Sequence, residues 1–247
     1  MKSIATLCAG LVGSLTLAHS ASAGEVPTPM DPVCVIPFYG SVSVGYDTSY
    51  LFRGGRLGDD APWAGLDLNY DISDTLSLNF GTWYINPTNN EVVGDELDIY
   101  AYGITSLGNW DVAVGGTWFY FAEDGGDEGE LNFVATRPIG TLFDFTFDYV
   151  YDLTFEGHYF GYYASKTIPL TNCLDLNLDT GISHGDDNYN YIILGGDHMY
   201  ASAGLTWYMT DAASVNAYVL GNFPYDDLEA AGEDNDVYGG FSVSVDF

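Results

Sequence analysis

The side chains with chemistry to offer are mostly carboxylates, and their spacing is regular. Asp144, Asp148 and Asp152 recur at intervals of four, as do Asp175 and Asp179, and Asp67 and Asp71; Asp47 and Asp111 stand singly. In an extended chain alternate residues face opposite sides, so an interval of four keeps each set on one side. In every case that side is opposite to the one carrying the apolar residues of the same segment. A wall of carboxylates concentrates cations and repels anions. Arg53 falls on the same inward parity, one of only 5 Lys and Arg against 35 Asp and Glu, for a formal net charge of −30. This balance makes nucleic acid and other polyanions poor partners, since both need a basic surface.

Four other groups are candidates for chemistry. His158, His184 and His198 would meet at one rim if the segments around the 169–173 turn pair, and with Asp186, Asp187 and Asp197 nearby they could hold a divalent transition metal. Three polar residues at a wet rim is the plainer reading. Ser183 lies beside His184, but no G-x-S-x-G is present, so neither an enzyme nor a cofactor is expected. The acidic stretch AEDGGDEGE lacks the ligand order of a calcium loop. Cys34 and Cys173 remain once the leader, with Cys8, is removed, and they form an even pair in an exported chain. Around a twelve-stranded ring their sites lie on the order of 20 Å apart, and the chain after Cys34 spans roughly 14 Å, so a bridge strapping the lead-in across the mouth is just within reach.

These residues need elements to position them. Lys2, an apolar core from Ile4 to Leu17 and Ala21-Ser22-Ala23 form a secretory leader over residues 1–23, removed on export. A Pro-rich periplasmic lead-in covers 24–37, and a barrel domain covers 38–247. No later window has the 18 or so apolar residues of a membrane helix. Instead twelve segments alternate apolar with polar: Ser41–Arg53, Trp63–Ile72, Leu76–Ile85, Glu96–Thr105, Trp110–Phe121, Leu131–Thr136, Thr141–Leu153, His158–Ile168, Leu174–Ile182, His198–Met209, Ala213–Gly221 and Asp236–Phe247. In the fourth, Tyr100, Tyr102 and Ile104 suit either face. Short connections such as Ser73-Asp74-Thr75 alternate with long acidic ones such as GGRLGDDAP and NFPYDDLEAAGEDND. The expected fold is all-β: a membrane-spanning antiparallel up-and-down β-barrel of about 12 strands in the bacterial outer membrane, with both termini periplasmic.

Two stretches carry resemblances. The last strand, ending on Phe247, resembles the terminal strand of bacterial outer-membrane barrels, which implies that the outer-membrane assembly machinery is a partner through Phe247, with outer-membrane lipid around it. The hairpin YDTSYLFRGGRLGDDAPWAGLDLNY resembles the opening hairpin of the TorF-type porins through Tyr50, Phe52, Arg53, Gly54, Gly65 and Tyr70. That resemblance implies a porin and fixes no substrate, and the expected solutes are small molecules and cations. Physically, Tyr50 and Phe52 would join an aromatic girdle at the outer interface and Arg53 would stand at the mouth. A passive, cation-preferring channel is the expected function. The alternative is a plugged structural or adhesive barrel with acidic, metal-binding outer loops, its interior filled by Trp83, Phe119, Phe121, Tyr200 and Tyr208.

Overall fold

Alternation of apolar and polar residues gives each strand two unlike faces, and the only way to bury every backbone edge without a second layer is to close the sheet on itself. The computed structural model describes residues 38–90, 94–122, 126–186, 189 and 196–247. The expected leader and lead-in lie outside these residues, as does Cys34.

The wall consists of β1 (Phe38–Phe52), β2 (Gly55–Asp71), β3 (Leu76–Ile85), β5 (Glu96–Leu107), β6 (Trp110–Phe121), β7 (Gly126–Ile139), β8 (Phe143–Asp152), β9 (His158–Thr171), β10 (Leu174–Gly185), β11 (His198–Thr210), β12 (Ala213–Pro224) and β13 (Asp236–Asp246). A two-residue strand, β4 (Asn89–Asn90), pairs with Gly58 and Asp59 of β2 and is not one of the wall strands. Each wall strand is antiparallel to the next, and β13 returns to β1 with Ser41 opposite Asp246 and Asp47 opposite Gly240. Phe247 completes the seam, its N–H donating to the Gly40 carbonyl at 2.9 Å and its carbonyl accepting from the Gly40 N–H at 3.0 Å. The barrel is closed and has twelve wall strands.

Its outer surface is apolar around the ring: Val42, Val44, Ile99, Val114, Leu131, Trp207, Val219 and Val245 are all exposed. Such a belt is far larger than a water-soluble protein leaves uncovered, and it is what lipid requires. The inner surface is polar and cross-linked. Asn79 donates to Asn69, Tyr102 bonds Thr117 and Asn132, Thr136 bonds Thr146, and Asn177 links Thr167 to Thr206, all at 2.9 to 3.0 Å. Tyr100, Tyr102 and Ile104, ambiguous by parity, are buried on this inner side. The reason is that their opposite-parity neighbours Leu97, Ile99 and Ala101 already supply the outer face of β5.

Two segments depart from the expected boundaries. The stretch GGRLGDDAP is not a long loop. Arg53 and Gly54 form a two-residue turn with φ of 47° and 89°, and Phe52 pairs directly with Gly55. Positive φ at both central residues matches the twist of a tight hairpin, and Gly54 adopts it without strain. β7 starts at Gly126 rather than Leu131, because the acidic run pairs with Phe121 and Tyr120 of β6. The last long connection holds one short helix, α1 (Asp226–Ala231), ended by Gly232 at φ 102°.

Candidate functional site: a constriction across the barrel

β1 and β2 belong to the wall only part of the way. Pairing of β1 with β13 stops at Asp47, and pairing of β2 with β3 begins at Trp63. Between them the hairpin pairs with itself and with β4, and a register shift at Tyr50/Leu51 breaks the two-residue alternation. Consecutive residues Tyr50, Leu51, Phe52 and Arg53 are therefore all buried, which no flat strand permits. The hairpin bends into the lumen. Tyr50 and Phe52 do not form the expected outer girdle; they pack with Leu57, Ala61, Ile85 and Phe119 inside, against Trp63, Trp83 and Phe121. Leu51 joins Tyr200, Leu220 and Tyr238 on the other side.

The tip reaches nearly across the ring. Arg53 forms a bidentate pair with Glu130 of β7, Nη1 to Oε1 at 2.5 Å and Nη2 to Oε2 at 2.8 Å, five places round the wall from β1. Its guanidinium lies 4.6 Å from the Phe52 ring centre, 4.7 Å from Tyr159 and 5.4 Å from Tyr189, and the Tyr189 hydroxyl also donates to Glu130 at 3.2 Å. Both charged side chains are at most 3% exposed. The backbone of the tip is held as well: the Gly196 N–H donates to the Arg53 carbonyl and Asn222 Nδ2 donates to the Gly54 carbonyl, each at 2.9 Å. A buried pair of this geometry is worth little against an apolar replacement, but removing one partner strands a desolvated charge. The pair joins the tip of the hairpin to β7.

Carboxylates outnumber the cation here. Glu96 accepts from the Tyr50 hydroxyl at 2.9 Å, and Asp98 and Asp152 are as deeply buried beside Arg53. Asp98 Oδ1, Asp148 Oδ1 and Asp152 Oδ2 have no hydrogen-bond partner among the described residues. Asp152 spends its other oxygen on the N–H groups of Thr154 and Phe155, at 2.8 and 2.7 Å, shaping the β8–β9 turn.

The other expected acids line the inner wall. Asp47 accepts from Tyr218 at 2.7 Å, Asp67 from Tyr100 at 2.6 Å, Asp111 from Ser106 at 2.6 Å, and Asp175 from Tyr208 at 3.1 Å. Asp71, at the short-turn end, accepts from Tyr39 and is exposed. Asp144 and Asp179 share the inward parity of their strands, opposite Pro138 and Ser202. Accessibility falls along the axis: Asp67, Asp71, Asp111, Asp144 and Asp175, toward the short turns, keep solvent contact, while Asp98, Glu130 and Asp152 beneath the hairpin do not.

The histidines do not assemble. His158 Nδ1 bonds the Tyr149 hydroxyl at 2.9 Å, and His184 Nδ1 bonds Asp197 at 2.5 Å, both on the outer parity of their strands. His198 is on the inner side, buried, with Nδ1 2.7 Å from Ser183 Oγ. The wall separates it from the other two. The β9–β10 register sets Phe160, not His158, opposite His184. Among the described residues no group of three His, Cys, Asp or Glu side chains converges as a metal site. The buried Ser183–His198 contact is no hydrolytic pair either, since Ser183 Oγ also bonds the Gly196 carbonyl at 2.6 Å and both residues are sealed from solvent. Cys173 is exposed in the β9–β10 turn; the expected bridge to Cys34 falls on a residue outside those described.

Sequence reasoning missed Glu130 and Glu128 by placing them with a solvated loop, and passed over Glu96 at the first position of its fourth segment. Extending the alternation of Asn132 and Val134 backwards puts Glu130 and Glu128 on the inner parity, a signal masked by the glycines at 125, 126 and 129.

A closed twelve-strand wall, polar inside and apolar outside, with an inward first hairpin, decides the fold comparison. This is the fold of outer-membrane channels. The chain superposes on the NanC porin with a TM-score of 0.53 at 13% identity, covering 84% of this chain and 98% of that one. The KdgM porin gives 0.55 at 7%, covering 84% and 99%. The COG4313 outer membrane channel from Pseudomonas putida F1 gives 0.56 at 12%, covering 91% and 100%. No family model and no curated protein sequence matches the chain.

Proposed function

We propose that this protein is a bacterial outer-membrane channel for passive diffusion of small solutes, cation-preferring through its Asp-lined lumen. The observation that carries the reading is the inner wall itself, where carboxylates from β1, β2, β6, β8 and β10 face one interior, and the two cations of the inward hairpin, Arg53 and Arg56, are already paired with Glu130 and Asp59. Low-dielectric walls focus that field, so cations accumulate and anions are excluded. The resemblance of the first hairpin to TorF-type porins supports the same class. The KdgM porin has been captured with oligogalacturonate; the sign of the lumen here argues for the opposite preference, so polyanionic sugars are not the expected solute. Phe247, paired into the seam, is the contact expected to be read by the barrel assembly machinery. The test is reversal potential across a potassium chloride gradient in a planar bilayer. A cation-selective potential at low salt supports the reading, a zero or anion-selective one overturns it, and no conductance at all favours the plugged structural barrel.

A further inference from the structure

Outside its leader the chain has four cations, and two of them point away from the lumen. Arg137 of β7 stands opposite Phe145 of β8, on the outer face, and Lys166 of β9 stands opposite the exposed Leu178 of β10. Both lie near the short-turn ends of their strands, and β8 runs between them. Two strand spacings and a two-residue offset place their Cα atoms roughly 12 Å apart, a gap that two long side chains close on one anion.

Beside Arg137 the outer wall is indented. A groove of about 490 Å³ is lined by Trp110, Val112, Phe133, Phe145, Phe147 and Tyr162, without polar surface. The Arg137 guanidinium sits 5.1 Å over the Trp110 ring at the groove's edge, and its Nε is buried with no hydrogen-bond partner among the described residues. Lys166 Nζ uses one N–H on the Thr141 carbonyl at 2.6 Å and has two more. The neighbouring acids Asp111, Asp144 and Asp148 project to the other side of the wall. In a chain so rich in carboxylates, two outward cations that form no ion pair among the described residues stand near an apolar groove. Simple snorkelling accounts for a lone Lys at an interface, but not for a stacked, half-buried Arg with an unmet donor beside a second cation.

We infer that this face is a binding site for one anionic phospholipid of the periplasmic leaflet. The phosphate lies between Arg137 and Lys166, where guanidinium and ammonium supply charge-assisted hydrogen bonds, and an acyl chain runs along Phe145, Phe147 and Tyr162 toward the barrel's middle. The site needs only that the barrel sit in a membrane, and it is independent of conduction.

The test uses the full mature protein in neutral detergent, with bound lipid counted by native mass spectrometry and folding confirmed by compact migration of unheated samples. Phosphatidylglycerol, phosphatidylcholine and glycerol phosphate are added separately. The expected result is retention of one phosphatidylglycerol in preference to phosphatidylcholine, weakened roughly thirty-fold in the Arg137→Gln/Lys166→Gln variant, as two basic groups at an anionic surface imply. Equal retention of the two lipids by the unmodified protein, or unchanged phosphatidylglycerol retention in the folded double variant, overturns the site. Displacement of the lipid by equimolar glycerol phosphate shows an anion site without the groove and also overturns it. The lipid comparison on the unmodified protein decides the matter even if the variant fails to fold.

Discussion

Arg53 shows how one residue changes meaning with its surroundings. By its type it is a cation at a pore mouth; in place, it is a latch whose charge is consumed by Glu130 and whose faces are covered by Phe52, Tyr159 and Tyr189. Truncating Glu130→Ala leaves a desolvated guanidinium and should destabilise the barrel by about 3–5 kcal/mol, unless the hairpin swings out to water. Replacing both partners at once, as Arg53→Met/Glu130→Leu, should recover most of that loss. Urea unfolding in lipid vesicles followed by tryptophan fluorescence measures the cycle. A single-variant loss below about 1 kcal/mol, with no gain in conductance, would show that the pair does not hold the hairpin.

At the scale of elements, the first hairpin is both wall and obstruction. Its lower half is shared between β13 and β3, and its upper half lies inside the ring. Replacing residues 51–57 by an Asn-Gly turn keeps the Tyr50–Gly58 pair and its register while removing the tip. Single-channel conductance should rise several-fold. The wall should stay folded, because the pairing of β1 with β13 and of β2 with β3 lies below the cut. Unchanged conductance would place the narrowest point elsewhere, and total loss of the folded band would show that the tip nucleates the barrel.

For the whole molecule the governing quantity is charge inside a closed, apolar-walled cylinder. Cation preference should be strongest at low salt and fade as salt rises, because the Debye length falls from about 10 Å at 0.1 M to about 3 Å at 1 M, below the half-width of a twelve-stranded barrel. Reversal potentials at three salt concentrations check this. A preference that does not change with salt would point to a local binding site rather than to the diffuse field of the wall. Neutralising the open end, as Asp71→Asn/Asp144→Asn/Asp175→Asn, should reduce the preference at 0.1 M without blocking conduction, since these acids keep solvent contact.

The sequence alone determined what alternation and punctuation encode. Period-two patterning identifies twelve wall segments and sorts Asp144, Asp148, Asp175 and Asp179 to the inner face, because a membrane wall tolerates no carboxylate on its lipid side. Alternation breaks where the chain bends, so it carries no information about the bulge at Tyr50/Leu51, the inward turn of the hairpin or the burial of Arg53. Register was equally out of reach: a two-residue offset between β9 and β10, invisible to parity, sets Phe160 rather than His158 opposite His184. Glu130 belongs to the same class. A carboxylate in an acidic, glycine-rich run reads as solvated charge until a cation from 77 residues earlier in the chain is brought against it, and only closure of the barrel does that.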